Sequence, residues 1–209
     1  MKTRVVALSR QLGVGGEEVA SLVAERLQFK VIDYQVIQEA AREAGVSPET
    51  VSEAERTPSL MTRILESLAR NPGMPVAAWA DPVPLSTTPL FTSADYRGFV
   101  ENVIRDLAEQ GSCLIVGHAA QVILRERTDT LRVLVTGSGR QRVRRVMAGM
   151  GVDEKAAQKT IEKTDAERLE FFQRVYGIGW ISANAYDMCV NTDHLSPAAA
   201  ADLVVYAAG

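Results

Sequence analysis

The chain has 209 residues, 46% hydrophobic and 23% charged, which is enough apolar material for one sizeable core, and a single domain over 1–209 is expected. A formal net charge of −3 gives no general attraction to nucleic acid or to an anionic membrane surface. The apolar runs are too short for a membrane span, and the four apolar residues after Arg4 are too few for a secretory signal, so a cytoplasmic protein is expected.

The first predicted strand, Val5 to Leu8, runs into a turn rich in glycine and then into a helix with Val19, Leu22, Val23 and Leu27 on one face. Gly13, Gly15 and Gly16 let the backbone bring its N–H groups close to a ligand, and the helix turns its partly positive N-terminus to the same place. Phosphate commonly binds at such a turn. The loop nevertheless departs from G-x-x-x-x-G-K-[ST]. With Gly15 as the second glycine, Arg10, Gly16 and Glu17 stand for the first glycine, the lysine and the hydroxyl residue. With Gly16, the stand-ins are Gln11, Glu17 and Glu18, so neither register contains a lysine.

A second strand spans Lys30 to Ile32 and is followed by Asp33. A helical pattern with Val36, Ile37, Ala40 and Ala41 ends at Gly45, and Ser47 with Pro48 opens another. Beyond Leu60 to Arg70, five of the eight prolines lie between Pro72 and Pro89, which marks a long loop or a small insert. A helix after Ser93 turns Phe99, Val103, Ile104 and Leu107 inward and stops at Gly111. Strands follow at Cys113 to Val116 and Leu131 to Thr136, then the segment GSGRQRVRRVMAGMG, then a charged helix from Asp153 to about Tyr176. The last strand is Tyr186 to Val190, and Ser196 with Pro197 announces a terminal helix that buries Leu203 and Val204. Strands alternating with helices predict an α/β fold with a parallel sheet of about five strands.

Cys113 and Cys189 both lie in apolar segments and are expected to be buried free thiols. His118 and His194 lack ligand-like spacing, so no structural metal is expected.

Phosphoryl transfer needs a backbone cradle, cations for the transferring group and a carboxylate for the acceptor or metal. The glycine turn offers the cradle. Helical spacing puts Arg140 and Arg144 on one side and Arg142 and Arg145 on another, so one pair can face a ligand while the other faces water. Asp33 ends its strand at the sheet edge where open α/β folds bind ligands, but it also suits the N-cap of the next helix. A dinucleotide site is a competing reading, since Asp33 follows Gly13 by twenty residues. Against it, Glu18 occupies the place of the third glycine.

The segments SRQLGVGG (9–16), VIDYQVI (31–37), CLIVGHAAQVIL (113–124), RVLVTGSGRQRVRRVM (132–147), KTDAERLEFFQRVYGIGW (163–180) and YDMCVNTD (186–193) together resemble the cytidylate kinase-like family of P-loop proteins. The resemblance implies a P-loop NTPase-like three-layer sandwich, with an acceptor-binding insert at about 34–110 and an arginine-bearing lid at about 138–180. It implies ATP with Mg²⁺ as donor and a nucleoside monophosphate such as CMP or dCMP as acceptor. Ser9, Arg10, Gln11, Gly13, Val14, Gly15, Gly16, Glu17 and Glu18 would hold the donor, with Arg10 substituting for the lysine. Asp33 would face the acceptor and Arg142 and Arg145 would clamp phosphates. Arg140, Asp165 and Arg168 would belong to the lid.

Two departures stand out. His118 occupies a place where the family commonly has arginine, and Glu17 and Glu18 follow the double glycine. A carboxylate about 6 Å from a phosphate charge is unfavourable by roughly 3 kcal/mol at an effective dielectric near 20. Either the glutamates only favour the helix dipole from solvent, or Glu17 itself holds Mg²⁺. The alternative to a kinase is a nucleotide-binding or regulatory protein that keeps the fold without phosphoryl transfer.

Overall fold

The computed structural model describes residues 2–33 and 93–209. Along β1 (Val5–Arg10), Val5 and Ala7 enter one apolar cluster and Val6 and Leu8 another. A central parallel strand covered on both faces has no solvent side, which is why Val5 to Leu8 shows no polar alternation. The strand continues two residues beyond the expected Leu8 and so carries Ser9 and Arg10.

Among the described residues, β1, β2 (Lys30–Ile32), β3 (Cys113–Val116), β4 (Thr130–Thr136) and β5 (Met188–Asn191) form one parallel sheet in the order β2-β3-β1-β4-β5. Val5 pairs with Cys113 on one side and Thr130 on the other. A dinucleotide fold of order 3-2-1-4-5-6 would place β2 against β1. Here β3 separates them, which removes the structural basis for the dinucleotide reading of Gly13 and Asp33. The chain leaves β1 toward β2 and leaves β3 toward β4, so a ligand crevice opens at the C-terminal ends of β1 and β3.

Helices α1 (Gly16–Leu27) and α6 (Pro197–Ala208) cover one face of the sheet, where Val19, Val23, Ala200, Ala201 and Val204 meet Val6, Leu8 and Leu114. The other face takes α2 (Ser93–Gln110) and α3 (Ala120–Ile123), whose Val100, Ile104, Ala108 and Ala120 pack on Val5, Ala7 and Ile115. Beyond β4, α4 (Gly139–Met150) and α5 (Glu154–Tyr176) join through Val146, Ala157 and Ile161. Their starts are capped by side chains: Ser138 accepts from the Gln141 N–H and Asp153 from the Ala156 N–H. Among the described residues no helix is long and apolar enough to cross a membrane.

Two burial expectations need correction. Leu203 is 43% exposed, because the inward stripe of α6 is Ala200, Ala201, Val204 and Ala208, and Leu203 stands to one side of it. Cys189 is exposed as well, since β5 is an edge strand with β4 as its single neighbour. Cys113 is buried as expected, and burial pushes its thiol up to about 11. The expected helices around Val36–Ala41, Ser47 and Leu60–Arg70, and the proline-rich stretch, lie outside the described residues.

The β5 strand begins at Met188, two residues later than expected, because Asp187 is used as a fastener. Its carboxylate accepts from the Arg132 backbone N–H at 2.8 Å and from Arg132 Nε at 2.9 Å. These hydrogen bonds hold the Asp187 carboxyl below its ordinary 3.8. A depressed carboxylate pKa adds stability above the unfolded value and loses it as pH falls through the folded one. The melting-temperature gap between wild type and Asp187→Asn should therefore stay constant down to about pH 4 and close below it; a gap unchanged at pH 2.5 would refute the assignment.

Candidate phosphate-binding site

After Arg10 the chain turns through Gln11 to Gly15 before α1 begins. Gly13 and Gly15 have φ of +79° and +73°, while Val14 between them stays outside the positive region. Such alternation curls successive N–H groups toward one concave side, a geometry suited to anions. From Leu12 to Glu18, no N–H makes a backbone hydrogen bond of good geometry among the described residues. The row ends on the N-terminus of α1, whose dipole adds to the same field.

The carbonyls of the loop are held on the opposite side. Arg142 Nε donates to the Leu12 carbonyl at 2.8 Å, Arg145 Nη1 approaches that of Gly13 at 3.5 Å, and Thr192 Oγ1 donates to that of Val14 at 2.9 Å. In a trans peptide the C=O of one residue and the N–H of the next point in opposite directions. Each fastened carbonyl therefore aims the following N–H, at Gly13, Val14 and Gly15, into the concavity. Arg168 donates to the Arg10 carbonyl at 2.5 Å, where the next N–H, of Gln11, still pairs with the Val135 carbonyl, and its guanidinium lies 5.4 Å from the centre of the Trp180 ring.

The arginines of α4 divide as their spacing predicts. Arg140 and Arg144 are exposed, whereas Arg142 is 4% exposed and Arg145 half-buried. The clamp expected of the inner pair takes a different form here, with guanidinium groups on the loop's carbonyl side. Arg142 also makes a two-pronged ion pair with Asp165 at 2.7 and 2.8 Å. Gly13 seats the loop directly on this helix: a Cβ there would lie 2.8 Å from the Arg142 carbonyl oxygen.

Arg10 and Glu17 meet inside the loop, Nε to Oε1 at 2.9 Å, with side-chain exposures of 10% and 18%. Arg10 runs across Gly16, where a Cβ would come within 2.5 Å of its own Cβ. Its charge offsets the repulsion that Glu17 alone would exert on a phosphate. Glu18 is exposed in the first turn of α1, the arrangement that favours the helix dipole.

Ser9 and Gln11 turn their side chains into the protein. Ser9 is 6% exposed and lies beside Tyr186, whose hydroxyl donates to the Trp180 carbonyl and accepts from Gln121. Burial raises the Tyr186 pKa above its ordinary value. Gln11 Oε1 accepts from Thr136 Oγ1 at 2.5 Å and the Gly137 N–H at 3.3 Å, tying the loop to the end of β4. Asp33 stands half-buried just past β2 on the same sheet edge. Across the crevice, Gly117, His118 and Ala119 have consecutive positive φ of +79°, +54° and +55°. Left-handed backbone at two non-glycine residues is strained, and it shapes the chain where β3 meets Arg10. Among the described residues, no group of three or more His, Cys, Asp or Glu could hold a metal.

Thr192 is absent from the sequence-based site. It follows an apolar strand inside Asn191-Thr192-Asp193, and a small polar group leaving a strand at the ligand edge was the available signal.

The family model described as the cytidylate kinase-like family matches residues 5–194. No curated protein matches the sequence. An uncharacterized protein from Eubacterium ventriosum has a similar structure, with a TM-score of 0.70, 21% identity, and 98% of this chain and 97% of that one covered. Shikimate kinase from Bacteroides thetaiotaomicron gives a TM-score of 0.53 at 11% identity, covering 97% of each chain. Shikimate kinase from Acinetobacter baumannii gives 0.51 at 12% identity, covering 98% of this chain and 92% of that one. These likenesses are of fold.

Proposed function

The chain belongs to the cytidylate kinase-like family, and from that premise we propose that it transfers the γ-phosphoryl group of ATP to a nucleoside monophosphate such as CMP or dCMP. Membership in the family supports a kinase of a nucleotide or another small molecule. The observation that supports the phosphate-donor half of this reading is the row of N–H groups from Leu12 to Glu18, which make no backbone hydrogen bond among the described residues and lead into a helix N-terminus. That row fits the donor's phosphate chain.

In this reading Gly13, Val14, Gly15 and Gly16 supply the cradle, and Arg10, pressed against Gly16, supplies the cation that the missing lysine would have given. Arg142, Arg145, Asp165 and Arg168 are positioning residues that fix the loop and with it the donor. Asp33 orients the acceptor. Glu17, whose Oε1 is engaged by Arg10, would hold Mg²⁺ through Oε2, and the ion would supply charge balance for the phosphates when bound with the nucleotide.

ADP release measured with CMP, dCMP, UMP, AMP and GMP tests the proposal. A kcat/KM for CMP or dCMP about tenfold or more above the others is expected. Failure of every acceptor to stimulate ADP release rules it out. A nucleotide-binding protein without transfer is the second reading, favoured by the Glu17 contact on Arg10; it requires ATP binding in calorimetry with no turnover.

A further inference from the structure

We propose that Thr192 is a positioning residue for the phosphate chain of the donor, acting through Arg145 and the Val14 carbonyl. The inference rests on the kinase reading and concerns a residue to which that reading gives no role. Thr192 is 1% exposed and lies just past β5, where the sheet, α4 and the glycine loop converge. Arg145 grips it twice, Nη1 on Oγ1 at 2.9 Å and Nη2 on the backbone carbonyl at 2.5 Å.

Donor and acceptor chemistry then fixes the direction of the hydroxyl proton. A guanidinium only donates and a carbonyl only accepts, so neither can reverse its part. With Arg145 donating to a lone pair of Oγ1, the proton of Thr192 must go to a carbonyl. That of Val14, at 2.9 Å, is nearer than that of Thr136, at 3.4 Å. The hydroxyl thus converts the charge of Arg145 into a proton aimed at the loop, and polarisation by the cation strengthens that second bond. Holding the Val14 carbonyl aims the Gly15 N–H, which lies between the two glycines where the loop passes into α1.

The consequence is specific to the donor. Loss of the hydroxyl frees the Val14–Gly15 peptide to rotate and misdirects a phosphate ligand, while every hydrogen bond of Thr192 among the described residues goes to Arg145, Val14 or Thr136. Serine keeps the hydroxyl; valine keeps the shape and removes it.

The experiment measures binding of ATP and of inorganic tripolyphosphate by calorimetry on the full chain, together with KM for both substrates, for wild type, Thr192→Val and Thr192→Ser. Thr192→Val is expected to weaken both anions about five- to tenfold and raise the KM for ATP in proportion, leaving the acceptor KM unchanged. Thr192→Ser should recover affinity to within about threefold of wild type. Arg145→Met, which removes the donor to the hydroxyl, is read beside them, so that poor folding of one variant does not decide the matter. It should likewise weaken tripolyphosphate, and combining it with Thr192→Val should add little. Wild-type binding of both anions with equal affinity in Thr192→Val overturns the role of Thr192 and leaves the kinase reading standing. Wild type that binds neither anion overturns both. Equal losses for valine and serine, or parallel changes in the two KM values, also reject the positioning role.

Discussion

Arg142→Ala is expected to abolish measurable ATP affinity and to lower unfolding free energy by roughly 3 kcal/mol, the lower end for breaking a buried ion pair. The lower end applies because Asp165 keeps 29% side-chain exposure and is partly solvated once left alone. Two losses combine in this variant: Asp165 loses its partner, and the Leu12 carbonyl loses the donor that aims the Gly13 N–H. A double variant separates them. Arg142→Met with Asp165→Leu removes both charges, which should restore most of the stability, as replacement of a whole ion pair by apolar groups often does. It leaves the Leu12 carbonyl unfastened, so phosphate affinity should stay lost. Urea denaturation and ATP calorimetry on the two variants give the answer. If the double variant regains affinity along with stability, Arg142 acts on the fold alone.

Gly13→Ala should be a far more damaging change than Gly15→Ala in the same loop. Its φ of +79° already penalises any side chain, by about 1–2 kcal/mol. The added Cβ also meets the Arg142 carbonyl oxygen at 2.8 Å and Val146 Cγ2 at 3.0 Å, so α4 or the loop must yield, and overpacking of that kind costs about 1–3 kcal/mol more. Gly15→Ala is the internal comparison. Its φ is similar, +73°, yet the nearest atom to a Cβ there is Pro197 Cγ at 3.7 Å, an ordinary contact. Conformational strain alone should then set its cost, at about 1–2 kcal/mol. Denaturation midpoints that fall equally for the two alanines would show that α4 does not constrain the loop at Gly13.

Most of the fold of the described residues could be read in advance because its determinants are local. The apolar runs of β1 and β3 have no polar alternation, and Ser196 with Pro197 marks the start of α6 on chemistry that operates within one helical turn. Residues whose environment depends on a distant element were harder. Helical spacing groups Arg142 with Arg145, but nothing in 139–150 says that their side of α4 meets the carbonyls of residues more than a hundred positions earlier. Leu203 is apolar in an alanine-rich helix, and only packing against α1 shows that alanine makes the contact. Cys189 reads as buried until its strand is found at the edge of the sheet. Glu17 is the instructive case in the site: its charge suggests a defect in a phosphate loop, whereas its contact with Arg10, seven residues earlier, makes the pair nearly neutral.

The donors of the cradle are main-chain groups, so beyond the glycines that shape its backbone the loop asks little of its own side chains. A peptide N–H survives any replacement of the side chain beside it, proline excepted. Substitution reaches these donors chiefly through residues elsewhere that hold the carbonyls: Arg142 and Arg145 on one helix, and Thr192 beyond the last strand. A diverging copy of this chain that kept Gly13, Gly15 and Gly16 could therefore change Leu12 and Val14 and still bind phosphate. Losing any one of those three would weaken the loop's hold on phosphate without altering a single residue of it.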